Sequence, residues 1–430
     1  MGKTTRRDFI KGSGFTLITV GLSREAFSRH LNMAATSALT EAAALSTNDN
    51  ILIVIQLEGG NDGLNTVIPT SGLLYSLYRD YRKRLAIPDT QIWPIGADAA
   101  GNQLGLHPSL QPVKSLYDQG HLAVIQSVGY PHPNRSHFRS MDIWHTANPD
   151  RVETTGWLGD YLDVAYPSSD NPLIAVSIGG KLPLSLRAHN TAVPAIDDVG
   201  GYQLWTDGNF PGDNKNKIQT LLALNRVSAP ERVLYEHVRQ TMMDVYNSTQ
   251  AVRAGVRNYT PAPGIVYNEA NDLATAMRQV AQLIAGNLGT KIFYVSLDGF
   301  DTHTRQKDNH AALLGHLADA VDTFYRDLQR LGRDDKVLIM TWSEFGRKVK
   351  ENDNIGTDHG ASAPQFVFGA SVKGGVYGEH PSLTDLYGED DTKHSIDFRS
   401  YYATVLEKWL GVDSHEVLGG LFELLDFVRQ

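Results

Sequence analysis

Four short apolar runs constrain what this chain can fold into: Ile51 to Leu57 (ILIVIQL), Leu122 to Val128 (LAVIQSV), Lys291 to Leu297 (KIFYVSL) and Lys336 to Trp342 (KVLIMTW). Each is short, rich in β-branched residues and nearly continuous rather than alternating, which is the pattern of a strand covered on both faces. Leu173 to Ile178 and Gln365 to Gly369 read as two more strands. Between them the spacing turns helical. Leu74, Leu77, Tyr78, Tyr81 and Leu85 share one face of a stretch over Leu73 to Leu85, and Leu313, Leu317, Val321, Phe324, Leu328 and Leu331 share one face of a stretch over Asn309 to Leu331. Ser109 to Tyr117, Ser136 to Trp144, Ile218 to Arg257, Asn268 to Leu288 and Phe398 to Leu410 add further helical segments. The expectation is an α/β fold, a three-layer sandwich with a mostly parallel central sheet.

With no repeat or linker to divide the mature chain, residues 46–430 read as a single domain. A weakly patterned insertion at about 179–216, holding His189, Trp205 and Phe210, is expected to shape a substrate pocket. The net charge of -9 offers no general basic surface for nucleic acid or an anionic membrane, and the absence of cysteine excludes disulfides, thiolate metal sites and a cysteine nucleophile.

Residues 1–45 are set apart. Thr5-Arg6-Arg7-Asp8-Phe9-Ile10-Lys11 precedes an apolar run, Gly12 to Leu22, too short to span a bilayer comfortably. This looks like a twin-arginine export signal, with small residues suited to cleavage at Ala42-Ala43-Ala44 or Met33-Ala34-Ala35. Periplasmic or extracellular location follows as an expectation. So do the twin-arginine translocase as a partner during export and a mature protein with no stable membrane span.

The polar candidates lie in Gly-rich loops, several directly after an apolar run, where open α/β sheets gather functional groups. Asp298, Asp301 and His303 follow the run ending at Leu297. Carboxylate and imidazole in one loop can close on a divalent metal, or simply make a turn and a helix cap. Glu344 sits just past Trp342, Asp358 and His359 are bracketed by Gly356 and Gly360, and Asn61 and Asp62 lie in a turn after the first strand. Ser136, at a helix start, is either a nucleophile or only an N-cap. Arg135 and Arg347 are the arginines favoured for clamping an anion through a planar fork.

These segments together resemble the bacterial family catalogued as domain of unknown function 1501: LEGGNDGLNTVIP from Leu57, NRSHF from Asn134, LDGFDTH from Leu297, SEFGR from Ser343 and GTDHG from Gly356. One level out, the order of the motifs is similar to the alkaline phosphatase and sulfatase superfamily. That resemblance implies an alkaline-phosphatase-like fold. It also implies one or two divalent ions (zinc, manganese, calcium or magnesium) held by residues among Asp62, Asp298, Asp301, His303, Glu344, Asp358 and His359. Ser136 falls near the superfamily's nucleophile. Asn61, Arg135 and Arg347 would then contact a small ester or other anionic substrate. The chain departs from the pattern at Glu344-Phe345-Gly346, where the superfamily has Asp-His-Gly, and the absence of cysteine disfavours formylglycine chemistry. The implied function is an exported metal-dependent hydrolase of phosphate or related esters. The alternative is an inactive relative serving as a periplasmic binding or assembly protein.

Overall fold

Alternate residues of the first strand enter two different cores. In β1 (Ile51–Glu58), Ile53, Ile55 and Leu57 face one side of a sheet while Leu52 and Val54 face the other, all buried. This is the two-sided burial expected of a continuous apolar run. The computed structural model describes residues 49–429, apart from 168, 170, 205–213, 227–231, 258 and 389. The segment expected to direct export, with its expected cleavage sites, and Trp205 and Phe210 of the insertion lie outside the described residues.

The sheet continues with β2 (Leu122–Gly129), β3 (Ala175–Ile178), β4 (Ala195–Ile196), β5 (Ile292–Asp298), β6 (Val337–Trp342), β7 (Ala363–Phe368), β8 (Gly375–Tyr377) and β9 (Ile396–Asp397). Among the described residues the order is β8-β2-β7-β6-β1-β5-β3-β4, with β9 also beside β2. Every pairing is parallel except the two made by β7, which runs antiparallel to β2 and β6. Strand direction leaves no mark in an apolar run as short as QFVFG, so that reversal is invisible in the sequence.

The helices that matter for the site are α1 (Gly72–Tyr81), α2 (Gln111–Asp118), α3 (His137–Thr146), α4 (Trp157–Ala165), α5 (Asp272–Ala285), α6 (Gln306–Leu331) and α7 (Phe398–Val405). Residues of α2, α5 and α6 form one core with the Ile53 face, and residues of α3, α4 and α7 form the other with the Leu52 face. The α/β three-layer sandwich with a mostly parallel sheet is therefore present. Tyr78 of α1 belongs to a smaller third cluster with Ile68 and Ile92. That cluster adjoins a three-stranded antiparallel sheet (Val67–Pro69, Trp93–Ala97, Gln103–Leu106) whose strands are too short to announce themselves.

Two details differ from the sequence reading. The helix α7 gives way to a π turn over Leu406–Leu410, and there Trp409 donates its indole N–H to the Ile51 carbonyl at 3.0 Å. The described part of 179–216 is built into the fold: Leu186, Val193, Ile196 and Val199 are buried, β4 extends the sheet edge, and Ser185 meets His145 of α3 at 2.5 Å. Apolar residues scattered among Gly and Pro still find the core when the backbone bends to bring them there. No helix among the described residues is long and apolar enough to cross a membrane.

Register then positions the chemistry. Glu58 pairs with Asp298 and Gln56 with Trp342, so β1, β5 and β6 end at the same edge and release their loops side by side.

Asp160 in α4 gives a check on the packing of the second face. Burial pushes its pKa up, the nearby charges of Asp163 and Glu153 push it further, a hydrogen bond with Thr155 opposes them, and the result is about 7 against 3.8 for a free aspartate. A raised carboxyl pKa means the folded state holds its proton longer than the unfolded chain, so stability falls as pH rises from about 4 to about 7. Asp160→Asn removes this dependence. Urea unfolding should show the variant gaining on the wild type between pH 4 and 7 and holding a constant lead above that. Parallel curves at all pH values would mean that the carboxyl is solvated.

Candidate metal centre

Three histidines and one aspartate converge at that edge. Asp301 and His303 lie between β5 and α6, His359 between β6 and β7, and His137 is the first residue of α3. Asp301 Oδ1 is 3.1 Å from His359 Nε2 and 3.2 Å from His303 Nε2, and the two Nε2 atoms are 2.9 Å apart. His137 Nε2 faces the other oxygen, Oδ2, at 3.6 Å. One ligand atom from each of His137, Asp301 and His359 lies within 4.8 Å of the other two.

The far nitrogen of every ring is spoken for. Nδ1 of His137 meets Glu344 Oε1 at 2.8 Å, Nδ1 of His303 meets Asp358 Oδ1 at 3.0 Å, and Nδ1 of His359 meets the Arg135 carbonyl at 2.8 Å. Carbonyls and ionised carboxylates only accept, so each Nδ1 carries a proton, and in a neutral ring each Nε2 then turns a lone pair inward. Lone pairs packed against a carboxylate repel unless a cation lies among them. Imidazole nitrogen and carboxylate oxygen are a common donor set for zinc and other transition ions, and an outer acceptor on each ring is how proteins orient such ligands. The residues present fit a divalent metal.

Burial pushes the Asp301 pKa up, but hydrogen bonds from Arg347 and His359 and the charge of Arg347 outweigh it and hold the carboxyl at about 2. His137 is raised, chiefly by its hydrogen bond to Glu344, whereas burial lowers His359. Phe345 supplies an apolar wall, with ring centroids 4.5 Å from His359 and 4.9 Å from His137.

Glycines make the convergence sterically feasible. Gly59 has φ +119, and a Cβ there would lie 2.3 Å from the Asp301 backbone nitrogen; a Cβ on Gly356 would lie 2.2 Å from the His303 carbonyl oxygen. Neither loop could come so close with a side chain.

The other residues singled out in the sequence go elsewhere. Asp62 is fully buried in a two-point pair with Arg82 (2.5 and 3.0 Å) and also accepts from Gln306, which in turn accepts from Thr357 at 2.5 Å. Both of its oxygens are engaged inside the fold, and none of its surface is exposed. Asn61 is likewise internal, its Oδ1 accepting from His310 (2.9 Å) and Thr66 (3.1 Å), and so does not face a substrate. Asp298 hydrogen-bonds the adjacent Gly299 N–H at 2.6 Å, the turn alternative rather than the ligand. Glu344 and Asp358 are the ring acceptors just described, one step behind the ligand atoms. Ser136 is the exposed N-cap of α3 with no side-chain cap bond, immediately before His137.

The two chosen arginines differ in what they leave open. Arg135 pairs with the buried Asp391 through one nitrogen and stays half-exposed. Arg347 is itself buried and donates to the carbonyls of Gly60 (2.8 Å), Gly59 (2.5 Å), Phe300 (2.9 Å) and Thr357 (2.8 Å), and to Asp301 Oδ1 (2.8 Å). Sequence reasoning missed His137 and Arg82. His137 lay inside NRSHF, where the adjacent hydroxyl drew attention; Arg82, just past the end of α1, sat among other basic residues and gave no signal.

Fold and site together define an α/β protein with a histidine–carboxylate cluster at the carboxyl edge of its sheet. The family model described as "Protein of unknown function (DUF1501)" matches residues 99–424, well over half of the chain, and the protein belongs to that family. Among curated proteins none matches. Similar solved structures include the PsFucS1 sulfatase from Pseudoalteromonas sp. (10% identity, 94% of this chain and 75% of that one, TM-score 0.38). Alkaline phosphatase from the Antarctic bacterium TAB5 is another (11%, 77% and 95%, TM-score 0.29). A third is the C-terminal periplasmic domain of EcEptC from Escherichia coli in complex with Zn (10%, 76% and 76%, TM-score 0.35). Likeness at these TM-scores carries no argument about chemistry.

The placement of Asp62 is directly testable. Asp62→Leu leaves the Arg82 charge buried and unpaired, at an expected cost of about 3–5 kcal/mol in urea unfolding. The folded fraction should keep whatever metal the wild type holds. Loss of metal without loss of stability would return Asp62 to the ligand set.

Proposed function

We propose that this protein is an exported, metal-dependent hydrolase of phosphate or related esters, with His137, His303, His359 and Asp301 holding the ion. The carrying observation is the set of three Nε2 lone pairs turned toward one carboxylate by three separate acceptors. A bound divalent ion would supply Lewis acidity, stabilising charge on the oxygens of the ester. Three imidazoles favour zinc or another transition ion over calcium or magnesium, which prefer oxygen donors. The ester class rests on the order of the motifs, and export rests on the Arg6-Arg7 segment.

The chain's own residues supply the rest. Ser136 is exposed, at the start of a ten-residue helix and one position from a ligand. Its hydroxyl would attack the phosphorus and displace the alcohol, and water would then release phosphate and restore the hydroxyl. The N-terminus of α3 favours a negatively charged group beside Ser136. Glu344 and Asp358 keep two of the rings in the tautomer that points Nε2 inward, and Phe345 keeps water from one wall. The committed state of Arg347 favours a second reading, in which the same site binds an anion or partner in the periplasm without turning it over.

Protein purified from its export route without chelator should contain metal and hydrolyse a phosphate, sulfate or phosphonate ester from a panel. Chelation, His303→Ala and His359→Ala should abolish both metal and turnover. Ser136→Ala should keep the metal and lose turnover by on the order of 100-fold or more. Metal retained with no hydrolysis across the panel would select the binding reading, and no metal under any loading condition would remove both.

A further inference from the structure

The opposite edge of the sheet, where β1 and β5 begin, holds a cavity of about 250 Å³. That is close to the small end of the ~300–1,000 Å³ usual for small-molecule sites. Seven residues of β5 at ~3.3 Å each separate it from the metal centre by roughly 20 Å. Its floor is apolar: Leu283 and Ile284 from the last turn of α5 and Phe293 from β5, all buried.

Two turns build the rim. Asn287 (φ +50) and Gly289 (φ +74) take left-handed conformations that turn the chain from α5 into β5, and Asn171 Nδ2 donates to the Leu288 carbonyl between them at 3.0 Å. After α6, Gly332 (φ +63) reverses the chain, and the Arg333 N–H returns to the Leu328 carbonyl at 2.9 Å. Backbone geometry thus holds Asn287, Thr290, Lys291 and Arg333 around one space.

These side chains have hydrogen-bonding capacity to spare. Among the described residues the Arg333 guanidinium makes one long hydrogen bond, to Asn287 Oδ1 at 3.4 Å. Thr290 is 6% exposed and its hydroxyl has no partner, a state that folded proteins generally avoid. Lys291 Nζ lies 3.9 Å from Asp49 Oδ1, but Asp49 is exposed at the mouth, where water weakens the pair. The C-terminal ends of α5 and α6 meet here and account for two cations at this edge. They account neither for the cavity nor for the unbonded hydroxyl beside it.

We propose that this cavity is a second binding site, for a small organic anion. A carboxylate or phosphate would lie on the planar fork of Arg333, beside Lys291, and the remaining polar groups would bond to Thr290 and Asn287. The site is independent of the metal reading, because it shares no residue with the histidine–aspartate cluster.

Isothermal titration calorimetry of the full mature chain tests it, with succinate and glycerol 3-phosphate as probes and uncharged glycerol and inorganic phosphate as controls. One or both organic anions should saturate at one per chain and bind more tightly than either control. Arg333→Gln should weaken that binding by about 10-fold or more, the scale of a lost charged hydrogen bond. Thr290→Val should weaken it several-fold without lowering the urea midpoint, because its hydroxyl has no protein partner to lose. His303→Ala, which disables the candidate metal centre, should leave binding unchanged. No saturable binding, as when the chain upstream of Asp49 covers the cavity, would overturn the proposal. Binding lost in His303→Ala but kept in Arg333→Gln would place the anion at the metal centre and overturn it as well. Inorganic phosphate binding as tightly as the organic anions would leave an adventitious ion only, and a Thr290→Val variant that loses stability but not affinity would make the hydroxyl structural.

Discussion

The buried guanidinium of Arg347 is the interaction on which the site depends. Its hydrogen bonds reach the loop after β1 through Gly59 and Gly60, the loop after β5 through Phe300 and Asp301, and its own loop after β6 through Thr357. Five acceptors around one planar cation fix three loops relative to one another, and a lysine, with a single point charge, could not match that geometry. The cost of burying the charge is offset by the carboxylate of Asp301 and by the hydrogen bonds to four main-chain carbonyls.

Around that centre a second buried pair works in parallel. Arg82 grips Asp62 and also donates to the carbonyls of Val349 (2.6 Å) and Lys348 (2.7 Å), so α1 and the first loop are tied to the segment that carries His359. Gln306, at the start of α6, links Asp62 to Thr357, two residues before that histidine. The ligand residues are comparatively exposed, whereas Glu344, Arg347, Arg82, Asp62 and Gln306 behind them are buried. Rigid support behind an accessible set of donors is what a preorganised site requires.

The phenylalanine in Glu344-Phe345-Gly346 has a clear consequence in this arrangement. Its neighbours divide the work: Glu344 turns inward to orient His137, Phe345 packs against two rings, and Gly346 has no side chain where a Cβ would meet the Ser362 carbonyl oxygen at 1.9 Å. A segment that reads as a damaged ligand motif is, in three dimensions, a well-packed wall with one orienting carboxylate.

What the sequence determined by itself was everything that depends on neighbours along the chain. Continuous apolar runs marked the buried strands, three-and-four spacing marked the covering helices, and glycines beside Asp301, His303 and His359 marked loops at strand ends, because hydrophobicity and backbone freedom are local properties. Tertiary structure alone decided which polar groups meet. Asp62, Glu344 and Asp358 looked like ligands because carboxylates in Gly-rich loops have the right chemistry, but Arg82 just past α1 engages the first, and the rings of His137 and His303 engage the others. His137 entered the cluster, while Ser136 beside it stayed at the surface, through the rotational setting of α3 against three loops from elsewhere in the chain. That setting is fixed by packing across the sheet, among residues far apart in sequence, and no local pattern records it.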